Sequence, residues 1–245
     1  MSTSFIYGIH AISRRLTQAP QHCLALFCID KPNPRLLKLI DQAREAGVEV
    51  TLESRARLSE RCGSDKHQGC VLETRASEPV TSLAQCLTGI NDRTLLLVLD
   101  GVQDPHNLGA CLRTADACGV DALIIPKDRS VKLNPTVRKV AAGAAETVPL
   151  IEVTNIARCL KDLQQAGVWI YGTSDSAEAS LYDHDYAGPV ALVMGAEGAG
   201  LRRLTLESCD HLVKLPMLGQ VESLNVSVAT GVCLYEILRS RNSGK

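Results

Sequence analysis

Aromatic side chains are scarce in this chain: two Phe, five Tyr and one Trp among 245 residues. So few rings mark no stacking track for unpaired bases. Charge of one sign is also lacking. Lys and Arg number 26 against 27 Asp and Glu, so the formal net charge of −1 supplies no field that would draw the whole molecule to a polyanion. No stretch approaches about 18 consecutive apolar residues, and the opening Met1-Ser2-Thr3-Ser4-Phe5 has no basic region followed by a long apolar one. Neither membrane insertion nor export is expected, and the expected location is the cytoplasm. The ten cysteines form no CxxC pair and the six histidines show no metal-ligand spacing, which excludes a zinc ribbon, a redox motif or a compact disulfide framework and predicts reduced thiols and no bound metal. Neither GxGxxG nor GxxxxGK[ST] occurs, so a nicotinamide or nucleoside-triphosphate enzyme is disfavoured.

What is present is ample apolar material, 45% of the chain, enough for one large or two modest domains. Ile9, Ile12 and Leu16 recur at helical spacing, Cys23 to Ile29 reads as a strand, and Pro34 opens a helix that Gly47 ends before a strand at Val48 to Leu52. A short helix and the strand Cys70 to Leu72 complete a small α/β unit over 1–74. Residues 1–75 hold 11 basic and 8 acidic side chains and the remainder 15 and 19, so the polyanion contact is expected in the first unit. Residues 75–93 mix Pro79 with polar residues and one short apolar helix-like piece, and are expected to be a linker. From 94 onward, apolar runs at Thr94 to Leu99, Val120 to Ile125, Val148 to Val153, Val168 to Gly172, Val190 to Met194 and His211 to Leu215 read as buried parallel strands. A final helix over 224–239 is expected to turn Val228, Val232, Tyr235 and Leu238 to the core.

Three segments carry the chemistry. Asp104-Pro105-His106-Asn107-Leu108-Gly109 follows the strand 94–99 and opens a helix with Arg113 about two turns in. In an open parallel sheet, ligands bind beyond the carboxyl ends of the strands, which is where Asn107 falls. An isolated Asn of this kind reads equally as a helix N-cap, and a lone Arg as surface charge. Gly195-Ala196-Glu197-Gly198-Ala199-Gly200 follows the strand 190–194, and Leu215-Pro216-Met217-Leu218-Gly219 follows the strand 211–215. Two glycine-bearing turns after adjacent apolar runs suit a ligand held by main chain. Ser223-Leu224-Asn225-Val226-Ser227 then enters the last helix, either as its polar cap or as part of the same site.

Asp100 to Ala115, Leu192 to Gly198, and Leu215-Pro216-Met217 with Ser223 to Ser227, in this order over some 130 residues, resemble the three motifs of the SpoU (TrmH) branch of the SPOUT RNA 2′-O-ribose methyltransferases. Tyr7-Gly8-Ile9-His10-Ala11 and His67-Gln68-Gly69 are similar to the substrate-binding domain that precedes the catalytic domain in that branch. The resemblance implies an α/β fold with an L30-like RNA-binding domain at 1–74 and a catalytic domain at 94–245 bearing a parallel sheet and a C-terminal trefoil knot. It implies a homodimer that transfers a methyl group from S-adenosyl-L-methionine to a guanosine ribose 2′-hydroxyl of 23S rRNA, free or in a ribosomal assembly particle. A tRNA ribose methyltransferase and a non-catalytic RNA-binding assembly protein are the alternatives. By motif position the implied catalytic set is Arg113, Asn107, Glu197, Asn225 and Ser223, with Arg113 central, Glu197 orienting it and Ser223 contacting phosphate. Main chain at Thr173, Gly195, Leu215, Met217 and Leu224 is implied to bind the cofactor.

Overall fold

A computed structural model describes residues 3–18, 20–65, 67–75 and 82–243. The chain folds as two units, Met1–Glu78 and Pro79–Lys245.

The first unit runs β1 (Thr3–Tyr7), α1 (Ile9–Gln18), β2 (Cys23–Ile29), α2 (Pro34–Glu45), β3 (Glu49–Glu53), α3 (Arg55–Cys62) and β4 (Cys70–Arg75), with sheet order β1-β4-β2-β3. Helix α2 starts where Asn33 accepts the main-chain N–H groups of Arg35 and Leu36, with Pro34 at a position that needs no donor. Gly47, at φ +75°, supplies the left-handed turn after it. One sheet face sets Leu26, Cys28 and Leu72 against Ile12, Leu16, Leu36 and Ile40 of the first two helices, and the other packs Phe27 and Val71 under Leu58 of α3. Strand β1 is not evident from composition. It exists because it pairs antiparallel with β4, from Thr3 opposite Arg75 to Tyr7 opposite Val71.

Arg61 of α3 donates both a 2.8 Å and a 2.7 Å hydrogen bond to the buried Glu53 carboxylate while its guanidinium lies 3.7 Å over the Phe27 ring. The hydrogen bonds from Arg61 hold the Glu53 carboxyl below its ordinary range, against the opposing pull of burial. A depressed carboxyl stabilises the fold above its unfolded pKa, and that contribution disappears as pH falls through the folded value. The melting temperature is therefore expected to drop below about pH 4. Glu53→Gln should be less stable than the parent at neutral pH and show a shallower acid decline, measured by circular dichroism melts; parallel acid limbs would contradict this assignment.

The second unit runs α4 (Leu83–Thr88), β5 (Leu95–Asp100), α5 (Pro105–Cys118), β6 (Ala122–Pro126), α6 (Pro135–Ala141), β7 (Leu150–Val153), α7 (Ile156–Gln165), β8 (Trp169–Thr173), β9 (Ala179–Ser180), β10 (Val190–Gly195), α8 (Arg203–Leu206), β11 (His211–Lys214) and α9 (Val226–Ser243). Its seven-stranded sheet has the order β7-β6-β5-β10-β8-β11-β9, and every pairing in it is parallel. Both faces are covered, which is why its strands read as unbroken apolar runs. Leu95, Leu97 and Leu99 of β5 face the core beneath α5, α6 and α9, whereas Leu96 and Val98 face the one beneath α7. Of the segment expected to be a linker, residues 76–81 lie outside the described residues, and α4 packs Cys86, Leu83 and Leu87 into the α7-side core.

Two expectations about helices are corrected. Helix α5 is capped by Asp104, which accepts the His106 N–H at 2.8 Å, so Asn107 lies inside the first turn and is not the N-cap. In α9 the core face is Val226, Cys233, Leu234 and Ile237, with Val232 packed against it as expected, while Val228 and Tyr235 are exposed. That helix is apolar on two faces, so its period alone does not choose between them. The far end of α9 is fixed by Arg241, which donates to main-chain oxygens of Tyr186, Arg93, Thr94 and Gly188.

None of the ten cysteines is in a disulfide. Burial pushes the thiols up, to about 12 at Cys28 and about 11 at Cys111, as for small core residues rather than nucleophiles. Among the described residues no group of His, Cys, Asp and Glu could hold a metal ion, and no helix is long and apolar enough to cross a membrane.

Candidate active site at the carboxyl edge of the parallel sheet

The four strands β5, β10, β8 and β11 are consecutive neighbours, and their carboxyl ends come level. Gly195 of β10 is opposite Asp100 of β5, Val193 of β10 is opposite Gly172 of β8, and Thr173 of β8 is opposite Val213 of β11. Thr173 donates its hydroxyl to Val193 O at 3.3 Å, tying the ends of β8 and β10 together. Three of the five predicted cofactor residues, Thr173, Gly195 and Leu215, therefore sit along one edge on adjacent strand ends or just past them. Met217 follows Leu215 in the turn after β11, and both side chains are half-buried; Leu224 is at the boundary of exposure before α9.

The turn after β10 is closed on itself. Ala196 N donates to Gly200 O at 3.1 Å and Gly200 N to Ala196 O at 2.9 Å, leaving Glu197, Gly198 and Ala199 at the tip. Gly198 and Gly200 take φ of +75° and +64°, a region costly for residues bearing a Cβ. Gly195 is required for a different reason: a Cβ there would meet Gly200 O and Leu201 N at 2.5 Å. The result is a main-chain cradle whose narrowness depends on a missing side chain.

Motifs 118 residues apart also meet. Asn225 Nδ2 donates to Asn107 Oδ1 at 3.0 Å, while Asn225 Oδ1 accepts the Ser227 N–H at 2.9 Å and the Ser227 hydroxyl at 2.6 Å. Both polar atoms of the Asn225 amide are thus used, one to start α9 and one to fix Asn107. Cys111 of α5 and Thr230 of α9 touch one turn further along, with Sγ donating to Oγ1 at 3.6 Å.

The remaining predicted residues are placed differently. Arg113 lies on the outer face of α5, exposed, and makes no hydrogen bond or ion pair among the described residues. Glu197 is exposed at the tip of its turn and makes no bond to Arg113 within this chain. Ser223 is exposed in the approach to α9.

One pair at this edge is not among the predicted site residues. Asp100 ends β5 with its side chain fully buried, accepts Arg202 N–H on Oδ2 at 3.2 Å, and has Oδ1 3.5 Å from Arg202 Nη1 without a hydrogen bond. An acid closing an otherwise apolar strand is the one signal that could have found it.

Main-chain polar groups, half-buried apolar side chains and a glycine cradle suit an adenosine-bearing sulfonium donor, which needs hydrogen bonds for its base and ribose and no countercharge beyond a few dipoles. A family model described as "SpoU rRNA Methylase family" matches residues 94–235, and one described as "RNA 2'-O ribose methyltransferase substrate binding" matches residues 5–80. The chain is 53% identical over 241 residues to the 23S rRNA (guanosine-2'-O-)-methyltransferase RlmB of Ralstonia nicotianae, covering 98% of this chain and 97% of that one. It is 49% identical over 243 residues to the protein of the same name in Escherichia coli K12, covering 98% and 100%. Among solved structures, the SpoU methyltransferase AviRb from Streptomyces viridochromogenes has a TM-score of 0.62 at 21% identity, covering 99% of this chain and 91% of that one. The A. aeolicus TrmH/SpoU tRNA modifying enzyme has a TM-score of 0.58 at 32% identity, covering 66% and 85%.

Proposed function

The chain belongs to the SpoU rRNA methylase family, and on that premise we propose that it is the methyltransferase that moves a methyl group from S-adenosyl-L-methionine to the ribose 2′-hydroxyl of a guanosine in 23S rRNA. The observation that carries this reading is identity of about half over nearly the full length of both chains, spanning both units. S-adenosyl-L-methionine supplies a methyl group already activated by the adjacent sulfonium charge. The protein's own task is to orient the sugar oxygen and to stabilise charge as its proton departs, work done by positioning and by fixed donors.

Arg113 suits that donor role. A guanidinium stays protonated and presents planar donors to a sugar oxygen or a phosphate, so it acts as orienter and charge stabiliser rather than as a free base. Asn107, locked by Asn225, offers its amide donor to the substrate. Ser223 contacts phosphate, and Glu197 orients the guanidinium once substrate and a second subunit complete the site. Thr173, Gly195, Leu215, Met217 and Leu224 hold the donor through main chain. The trefoil knot belongs to the same proposal, supported by membership of the family. The first unit selects the RNA, and the substrate is 23S rRNA itself or an assembly particle containing it.

A homodimer is supported by α9, whose Val228 and Tyr235 are 52% and 54% exposed at i and i+7, and by an Arg113 without a partner among the described residues of one chain. Light scattering is expected to give twice 26.4 kDa. Val228→Glu with Tyr235→Glu should yield monomers that have lost methyl transfer; fully active monomers at assay concentration would refute the shared site.

The overall assay is labelled S-adenosyl-L-methionine with 23S rRNA, with tRNA and with no RNA. Label in rRNA at one guanosine ribose is the expected result. Label in tRNA alone, or in none, would overturn the proposal.

A further inference from the structure

Beneath the glycine turn lies a pair outside the predicted site residues, Asp100, which opens the first motif, and Arg202. Both ends of that turn run to the same residue, one through its main chain and one through its side chain. Its entry, Gly195, is held opposite Asp100 by the parallel pairing of β10 with β5. Its exit, Arg202, is held by a 3.2 Å hydrogen bond from its main-chain N–H to Asp100 Oδ2. The Arg202 side chain then folds back over the same carboxyl, Nη1 lying 3.5 Å from Oδ1, with 45% of the Arg202 side chain still open to solvent. Gly101, at φ +93°, makes room for this, since a Cβ there would stand 3.2 Å from Arg202 Nη2. Between the two anchor points lie two glycines, Gly198 and Gly200, which lend the segment little stiffness of its own.

We infer that Asp100 and Arg202 form a brace that sets the width of the Gly195–Gly200 turn and thereby the affinity for the methyl donor, making both of them positioning residues for the reaction. A buried carboxyl with an oxygen left without a hydrogen bond is costly unless it is retained for a purpose. Here the carboxyl ties the exit of the turn to the strand whose main chain pairs with its entry. Asp100 acts through the turn, because its side chain is wholly buried behind it. The inference rests on the proposal that this turn grips S-adenosyl-L-methionine, and the test separates the two.

The probe is S-adenosylhomocysteine, the demethylated product, titrated by calorimetry into the full-length protein. The parent chain should bind it; failure to bind would defeat the cofactor reading and the brace together. Given binding by the parent, Asp100→Asn and Arg202→Gln should each raise Kd about tenfold, the scale of one lost charge-assisted interaction. The double variant should be no worse than either single one, because the two act as a unit. Arg202→Lys keeps the charge and should recover part of the affinity. Arg203→Gln, next in sequence and paired with the exposed Glu207, should bind like the parent. KM for RNA should stay within about twofold throughout, measured well below each variant's melting temperature. A parent-like Kd in Asp100→Asn, single effects that add in the double variant, or an equal rise in RNA KM would overturn the brace.

Discussion

Arg113→Ala is expected to lower the rate of methyl transfer by about 10²-fold or more while leaving the melting temperature and S-adenosylhomocysteine affinity unchanged. The two halves of that expectation have different sources. The rate loss follows from the role proposed for a fixed cation near a developing oxyanion, where removing one preorganised donor commonly has effects of this size. The neutrality toward stability follows from the structure. Arg113 sits on the outer face of α5, exposed, and makes no hydrogen bond or ion pair among the described residues, so truncation removes no such contact and opens no cavity. Arg113→Lys should recover little, because an ammonium does not reproduce the planar fork of donors. Single-turnover kinetics with saturating donor and rRNA, beside a melt and a calorimetric titration, would check all of this. Normal transfer by a folded Arg113→Ala protein would remove Arg113 from the chemistry.

The exposure of Arg113 also explains why the site is only partly legible in the sequence. Its strand-end components are readable because β5 and β10 are buried on both faces and so write continuous apolar runs, after which a glycine turn is conspicuous. Asn107 and Asn225 are assigned to one site by motif position, and the structure joins them by a direct hydrogen bond. Nothing local, however, links Asp100 to Arg202 across 102 residues; that pair arises only when β10 is laid beside β5 and the chain turns back over it. Likewise no local rule chooses the buried face of α9, since Val228 and Tyr235 on one side are as apolar as Val226 and Leu234 on the other. Strand β1 is an edge strand whose Phe5 and Tyr7 are exposed, so it lacks the burial pattern that reveals its neighbours. Helix α7 is readable in principle: Ile156, Cys159, Leu160 and Leu163 keep helical spacing behind an Asn155 cap.

Gly195→Ala is expected to abolish detectable binding of S-adenosylhomocysteine, and methyl transfer with it, in a protein that still folds. The new Cβ would stand 2.5 Å from Gly200 O and Leu201 N, both main-chain atoms. Real Cβ atoms are not found so close, and a backbone neighbour cannot swing aside as a long side chain can. The turn must open, and the mutual hydrogen bonds of Ala196 and Gly200 that close it must break. The direct cost is about 1–3 kcal/mol for an overpacked site, within reach of a domain stabilised by about 5–15 kcal/mol. The loss of function is larger than that figure implies, because the atoms displaced are the main-chain groups proposed to hold the donor. Two comparisons isolate the cause. Gly198→Ala creates no clash, since nothing stands within 4 Å of its Cβ position. Its only cost is a left-handed φ of +75°, about 1–2 kcal/mol, and it should weaken binding without ending it. Gly231→Ala, inside α9 with Thr114 Cγ2 at an ordinary 3.8 Å, should leave binding intact and gain slightly in helix propensity. The order Gly231→Ala, Gly198→Ala, Gly195→Ala in rising Kd therefore tests the cradle as geometry; a Gly195→Ala protein that binds as well as Gly231→Ala would show that the donor is held elsewhere.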